Sequence, residues 1–136
     1  MQLPHLEKVI TAKIALVKKL TFSKGSRILT RAEFQKISEI GRKIHCRSFI
    51  IFLYPTSAKD SRLGVTVSKK VELRATRRNL IKRRIREWFR QNQQTLSGVF
   101  DIVIVARKNA CALDFAGLKR ELQTALVRDG YADSNS

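Results

Sequence analysis

Cysteine, histidine and acid are all scarce here: two Cys, two His and eleven Asp plus Glu in 136 residues. Cys46 and Cys111 stand alone without a CxxC spacing, and His5 and His45 lie at no ligand spacing from them, so no metal bound by the protein is expected. Lone thiols without a disulfide framework or a secretory-signal pattern suit a cytoplasm that keeps them reduced. Long apolar runs are lacking as well. The longest, residues 49–54 and 102–106, fall far short of the ~20 residues of a spanning helix, which excludes a transmembrane segment. Among so few acids no paired carboxylates for magnesium and no His pair for acid–base work can be picked out, so no catalytic residue is assigned. Six Gly and two Pro leave no flexible linker, and one domain is expected.

What the sequence does have is positive charge. Lys plus Arg number 28, giving a net charge of +17. Repulsion on that scale is tolerated where a polyanion neutralises it, so nucleic acid is the expected partner class. DNA is the lesser expectation, because no helix-turn-helix and no dimer seam are evident.

The apolar pattern outlines the elements. Residues 1–20 place Leu6, Val9, Ile10, Ile14, Val17 and Leu20 at helical spacing opposite Lys8, Lys18 and Lys19. This reads as a basic amphipathic extension of the domain; an early start codon, membrane contact and targeting are the other readings. Thr30 and Glu33 have capping-box spacing, Leu29 and Phe34 fit the flanking staple, and Phe34, Ile37 and Ile40 continue one helical face. Gly41 suits a left-handed helix end. Residues 48–54 and 101–106 read as strands. Residues 62–68 form an alternating strand, with Leu63, Val65 and Val67 on one face and Gly64, Thr66 and Ser68 on the other. A helix from an N-cap at about Thr76 to near Gln94 carries the stripe Ile81, Ile85, Trp88 and Phe89. Asp114 caps a closing helix with Phe115, Leu118, Leu122 and Leu126 inward, and a polar, frayed tail follows from Asp129.

The functional signal lies in residues 74–90, which hold eight bases (Arg74, Arg77, Arg78, Lys82, Arg83, Arg84, Arg86, Arg90) against the single acid Glu87. At 100° per residue, Asn79, Arg83, Arg86 and Arg90 share a stripe opposite Ile81 and Ile85. One side anchors in the core while the other offers guanidinium groups to phosphates. A merely solvated charged face would interleave more acids.

RLGVTVSKK (residues 62–70) followed by RATRRNLIKRRIREWFR (residues 74–90) closely resembles the signature of the bacterial ribonuclease P protein family. Arg27 to Thr30, Glu33, Phe34, Gly41, the aromatic strand at 49–52 and DIVIVARK (residues 101–108) follow in the family's order. The resemblance spans roughly residues 22–127. It divides the chain into an extension (1–21), the family domain (22–128) and a tail (129–136). The implied fold is α+β, a two-layer sandwich in the order αβββαβα, as in a known ribosomal-protein domain. Its sheet has about four strands, mainly antiparallel, with a left-handed crossover and an extra strand begun by His45 or its neighbours.

The implied function is that of an RNA-binding subunit. It assists a catalytic RNA in removing the 5′ leader of precursor tRNA, with Mg2+ acting through the RNA and one protein per RNA. Docking on the catalytic RNA would fall to Arg78, Asn79, Lys82, Arg83, Arg86 and Arg90. Leu80 stands where the family has a base, and Arg84 beside it is a candidate to compensate. The family's leader cleft maps onto Phe34, Ile50, Phe52, Thr66, Ser68 and Lys70, with Arg107 and Lys108 at its edge. Small polar side chains let a strand approach and an aromatic ring stacks on any base, although Phe34 and Phe52 serve equally well as core. Ser38 replaces a second aromatic common in the family. The alternative reading is a ribosomal or generic basic RNA-binding protein, which the charge alone would fit.

Overall fold

The computed structural model describes residues 30–132. The extension over residues 1–20, the part of the resemblance before Thr30, the Leu29 half of the staple and residues 133–136 lie outside them. Seven elements follow in the order αβββαβα: α1 (Arg31–Ile40), β1 (Arg42–His45), β2 (Phe49–Pro55), β3 (Arg62–Thr66), α2 (Ala75–Asn92), β4 (Phe100–Ala106) and α3 (Phe115–Arg128). The sheet order is β1-β2-β4-β3, with β3 parallel to β4 and the other pairings antiparallel. Parallel neighbours need a crossover, and α2 supplies it.

Alternation in the strands builds two apolar faces. Phe49, Ile51 and Leu53 of β2, with Ile102 and Ile104 of β4, are fully buried against Ile85 and Phe89 of α2 and Leu122 and Leu126 of α3. On the opposite face Ile37 of α1 packs on Val103, with Phe34, Phe52, Tyr54 and Val105 around them. The central strand β4 is thus covered on both sides, which explains its unbroken apolar run.

Helix α1 starts as its sequence predicts: the Glu33 amide donates to Thr30 Oγ1 (3.1 Å) and the Thr30 amide to Glu33 Oε1 (3.4 Å). Its end differs. Gly41 is extended (φ −77°) rather than left-handed. Its glycine answers a close approach, since a Cβ there would lie 2.5 Å from the Ile37 carbonyl oxygen and 3.0 Å from that of Leu53. Ile40, expected on the apolar face, is 52% exposed.

Other boundaries shift for local reasons. His45 ends the extra strand instead of beginning it. β3 stops at Thr66, where the Ser68 carbonyl turns to accept the Val71 and Glu72 amides, while Val67 stays in the core. The N-cap of α2 is Arg74, not Thr76, and it makes no side-chain cap; the Arg77 and Arg78 amides reach its carbonyl. Asp114 caps α3 through the Gly117 amide (2.8 Å). Residues 129–132, which the sequence assigns to the frayed tail, are packed against the domain. The Tyr131 ring stands edge-on to Phe100 at 5.5 Å, and Ala132 pairs with Leu96.

Candidate nucleic-acid interface

Helix α1 crosses its sheet face from β3 toward β2 because of two glycines. Phe34 sits over Gly64 of β3, and Gly41 brings the other end of the helix against Leu53 of β2. The neighbouring row is left beside the helix: Ile50 and Thr66 both pair with Val105 across the sheet. An open groove of about 720 Å³ runs there, lined by Arg31, Phe34, Gln35, Ser38 and Thr66. Of the cleft residues expected from the sequence, Phe34 and Thr66 line this groove, and Ile50 shares its row. Phe52 lies one row further in, opposite Val103, with the Lys43 ammonium 5.9 Å from its ring centroid.

Ser68 and Lys70 are exposed just past the end of β3. Arg107 and Lys108 follow β4, which ends at the same edge of the sheet because the two strands run parallel. Arg107 is tied down there: its amide donates to the Ser48 carbonyl (2.8 Å) and its guanidinium to that of Cys46 (3.1 Å). Sequence reasoning missed Arg31 and Gln35 as groove residues and saw Ser38 only as a lost aromatic. Their spacing with Phe34 (31, 34, 35, 38) is one helical stripe and was a usable signal.

Helix α2 separates its bases by task. Arg78 donates to the carbonyls of Glu72 (2.9 Å) and Leu73 (2.8 Å), so it braces the turn that starts the helix. Arg84 donates to the Leu113 carbonyl (2.9 Å) and locks α2 to the start of α3, so it is no simple replacement for the base missing at Leu80. Arg90 pairs with Glu87, whose carboxyl is held below its usual range chiefly by that hydrogen bond. Asn79 and Arg83 are exposed, and Lys82 and Arg86 are half-exposed. The outward basic surface is therefore narrower than the helical stripe suggested: of the stripe's arginines Arg83, Arg86 and Arg90, only Arg83 is exposed rather than half-exposed.

The thiols are unremarkable. Burial pushes Cys46 up to about 11, which keeps it protonated, and Cys111 Sγ lies 3.3 Å from the Val71 carbonyl. Among the described residues no three His, Cys, Asp or Glu side chains gather as a metal ion would need, and no helix is long and apolar enough to cross a membrane.

The family pattern of Ribonuclease P matches residues 22–129. The chain belongs to the ribonuclease P protein family. It is thereby the RNA-binding subunit of an endoribonuclease that matures the 5′ end of tRNA. A ribonuclease P protein component from Citrifermentans bemidjiense is 44% identical over 107 residues, covering 79% of this chain and 90% of that one. Among solved structures, a Staphylococcus aureus RNase P protein mutant with defective mRNA degradation activity superposes with a TM-score of 0.74 at 30% identity, over 82% of this chain and 93% of that one. The RNase P protein from Thermotoga maritima gives 0.68 at 33% identity, over 75% and 96%. These matches favour ribonuclease P over the ribosomal or generic alternative.

Proposed function

We propose that the groove beside α1 holds the single-stranded 5′ leader of precursor tRNA while the outward face of α2 docks on the ribonuclease P RNA, one protein per RNA, in the cytoplasm. The observation that carries this reading is the row left open beside α1. A groove of about 720 Å³ offers one aromatic ring, the Thr66 hydroxyl and the Arg31 guanidinium along a strand-like track, while the Ser38 hydroxyl donates back to the Phe34 carbonyl (2.8 Å). That mixture suits a backbone with varied bases, because stacking and phosphate contacts do not depend on sequence. On α2, Asn79, Lys82, Arg83 and Arg86 face phosphates of the RNA subunit.

In this reading magnesium enters with the RNA; acids are few in the chain, and among the described residues no three His, Cys, Asp or Glu side chains gather to hold it. The protein's part is to grip substrate and to screen phosphate repulsion, which lowers the magnesium the RNA needs. The test is cleavage of precursor tRNA at low magnesium by a bacterial ribonuclease P RNA, with and without this protein, alongside the protein alone. Stimulated leader removal and an inert protein are the expected outcome; cleavage by the protein alone would overturn the division of labour. Replacing Phe52 and Lys70 by Ala should lower holoenzyme affinity for precursor tRNA more than for mature tRNA, and equal losses would remove them from the leader path.

A further inference from the structure

On the far side of the sheet from α1, a second trough of about 390 Å³ lies between the β1–β2 turn and one stripe of α3. Arg47 stands on the turn, and Arg120, Thr124 and Arg128 on the helix. The turn is pinned at every residue. The Ser48 amide and hydroxyl donate to the Glu121 carboxylate (2.6 and 2.9 Å), Arg107 Nη1 donates to the Cys46 carbonyl, and Asn109 Nδ2 to that of Arg47 (3.2 Å). The anchoring spends the one acid in the trough on Ser48 and leaves the Arg47 side chain exposed on a fixed backbone. Arg128 reaches Asp129 at 3.2 Å, whereas neither Arg47 nor Arg120 has an ion-pair partner among the described residues. Arg120 and Arg128 are eight residues apart, about 12 Å along the helix axis. Guanidinium groups at that spacing suit a run of phosphates.

We infer that this trough is a further docking surface for the phosphate backbone of the ribonuclease P RNA, separate from the outward face of α2. The inference rests on the reading of the chain as that RNA's protein subunit. The choice of RNA follows from the layers: α2 and α3 share one side of the sheet, and the groove assigned to the leader is on the other. A molecule gripped by α2 has the trough on its own side.

The test measures affinity of the full chain for ribonuclease P RNA as a function of salt, for the parent, Arg47→Ala/Arg120→Ala, Arg47→Lys/Arg120→Lys and Arg83→Ala. Each lost phosphate contact flattens the log–log slope by about 0.7–0.9. The double Ala variant should therefore lose about 1.5 units of slope and the Lys variant should regain them, because Lys keeps the charge but not the shape. A double Ala variant with the parent's slope beside an Arg83→Ala variant that loses about one unit would overturn the trough and leave α2 docking intact. Unchanged slopes in both would overturn both. A loss seen only in precursor-tRNA binding by the assembled holoenzyme would move the trough to the tRNA body and end its assignment to the RNA subunit.

Discussion

Phe34 owes its position to a neighbour without a side chain. A Cβ on Gly64 would lie 2.7 Å from Phe34 Cζ, so β3 passes directly beneath the ring, and the ring in turn walls the groove. Gly64→Ala should push this half-buried ring toward the groove. Because the far end of a side chain can tilt, the expected stability cost is about 1 kcal/mol, at the low end for overpacking, with a larger loss in leader affinity. Urea unfolding together with the precursor-to-mature affinity ratio checks this. Loss of stability with an unchanged ratio would mean that Phe34 serves the core and not the groove.

Helix α1 is held at its start by charge as well as by packing. Arg62 of β3 donates to Asp101 of β4 through Nε (3.0 Å) and Nη2 (2.9 Å), and through Nη1 to Glu33 of α1 (2.8 Å). Glu33 thus closes the capping box and ties the helix to the sheet. Arg62→Met would leave Asp101, only 7% exposed, without its cation. The expected cost is about 2 kcal/mol, less than for a fully buried pair because the arginine is partly solvated. The Glu33 carboxyl is held below its ordinary 4.5, first of all by the Arg62 hydrogen bond. A carboxylate with a lowered folded pKa adds stability above its unfolded value and loses it as pH falls through the folded one. The difference between parent and Arg62→Met in urea midpoint should be widest near neutrality and narrow below about pH 4.5. A difference independent of pH would assign the loss to packing alone.

A net charge of +17 makes the molecule self-repelling until an anion arrives. Like charges interact over a Debye length of roughly 10 Å at 0.1 M salt, so the melting temperature of the free protein should rise as salt is added from low ionic strength. A falling melting temperature would mean that internal pairs such as Arg62–Asp101 outweigh the repulsion. The same salt that steadies the free protein should weaken its complex with RNA, because counterions released into a more concentrated solution gain less entropy.

Local pattern in the chain was enough for the helices, three of the four strands, the buried stripe of α2 and the Thr30–Glu33 cap, because helical and strand periodicity and capping are set by neighbours a few residues apart; the extra strand β1, and with it the full element order, came only from the family resemblance. Family resemblance also supplied the cleft residues Phe34 and Thr66, which the fold does bring to one groove. Periodicity could not show which arginines turn inward. Arg78, Arg84 and Arg90 lie about 120° apart on a helical wheel, yet each is engaged by a carbonyl or carboxylate that long, flexible side chains reach. Nor could it foresee that Gly41 answers a carbonyl at 2.5 Å and not a left-handed turn. The α3 trough was equally hidden, since Glu121 and Ser48 are 73 residues apart. Such contacts exist only once the layers have packed, and no spacing along the chain encodes them.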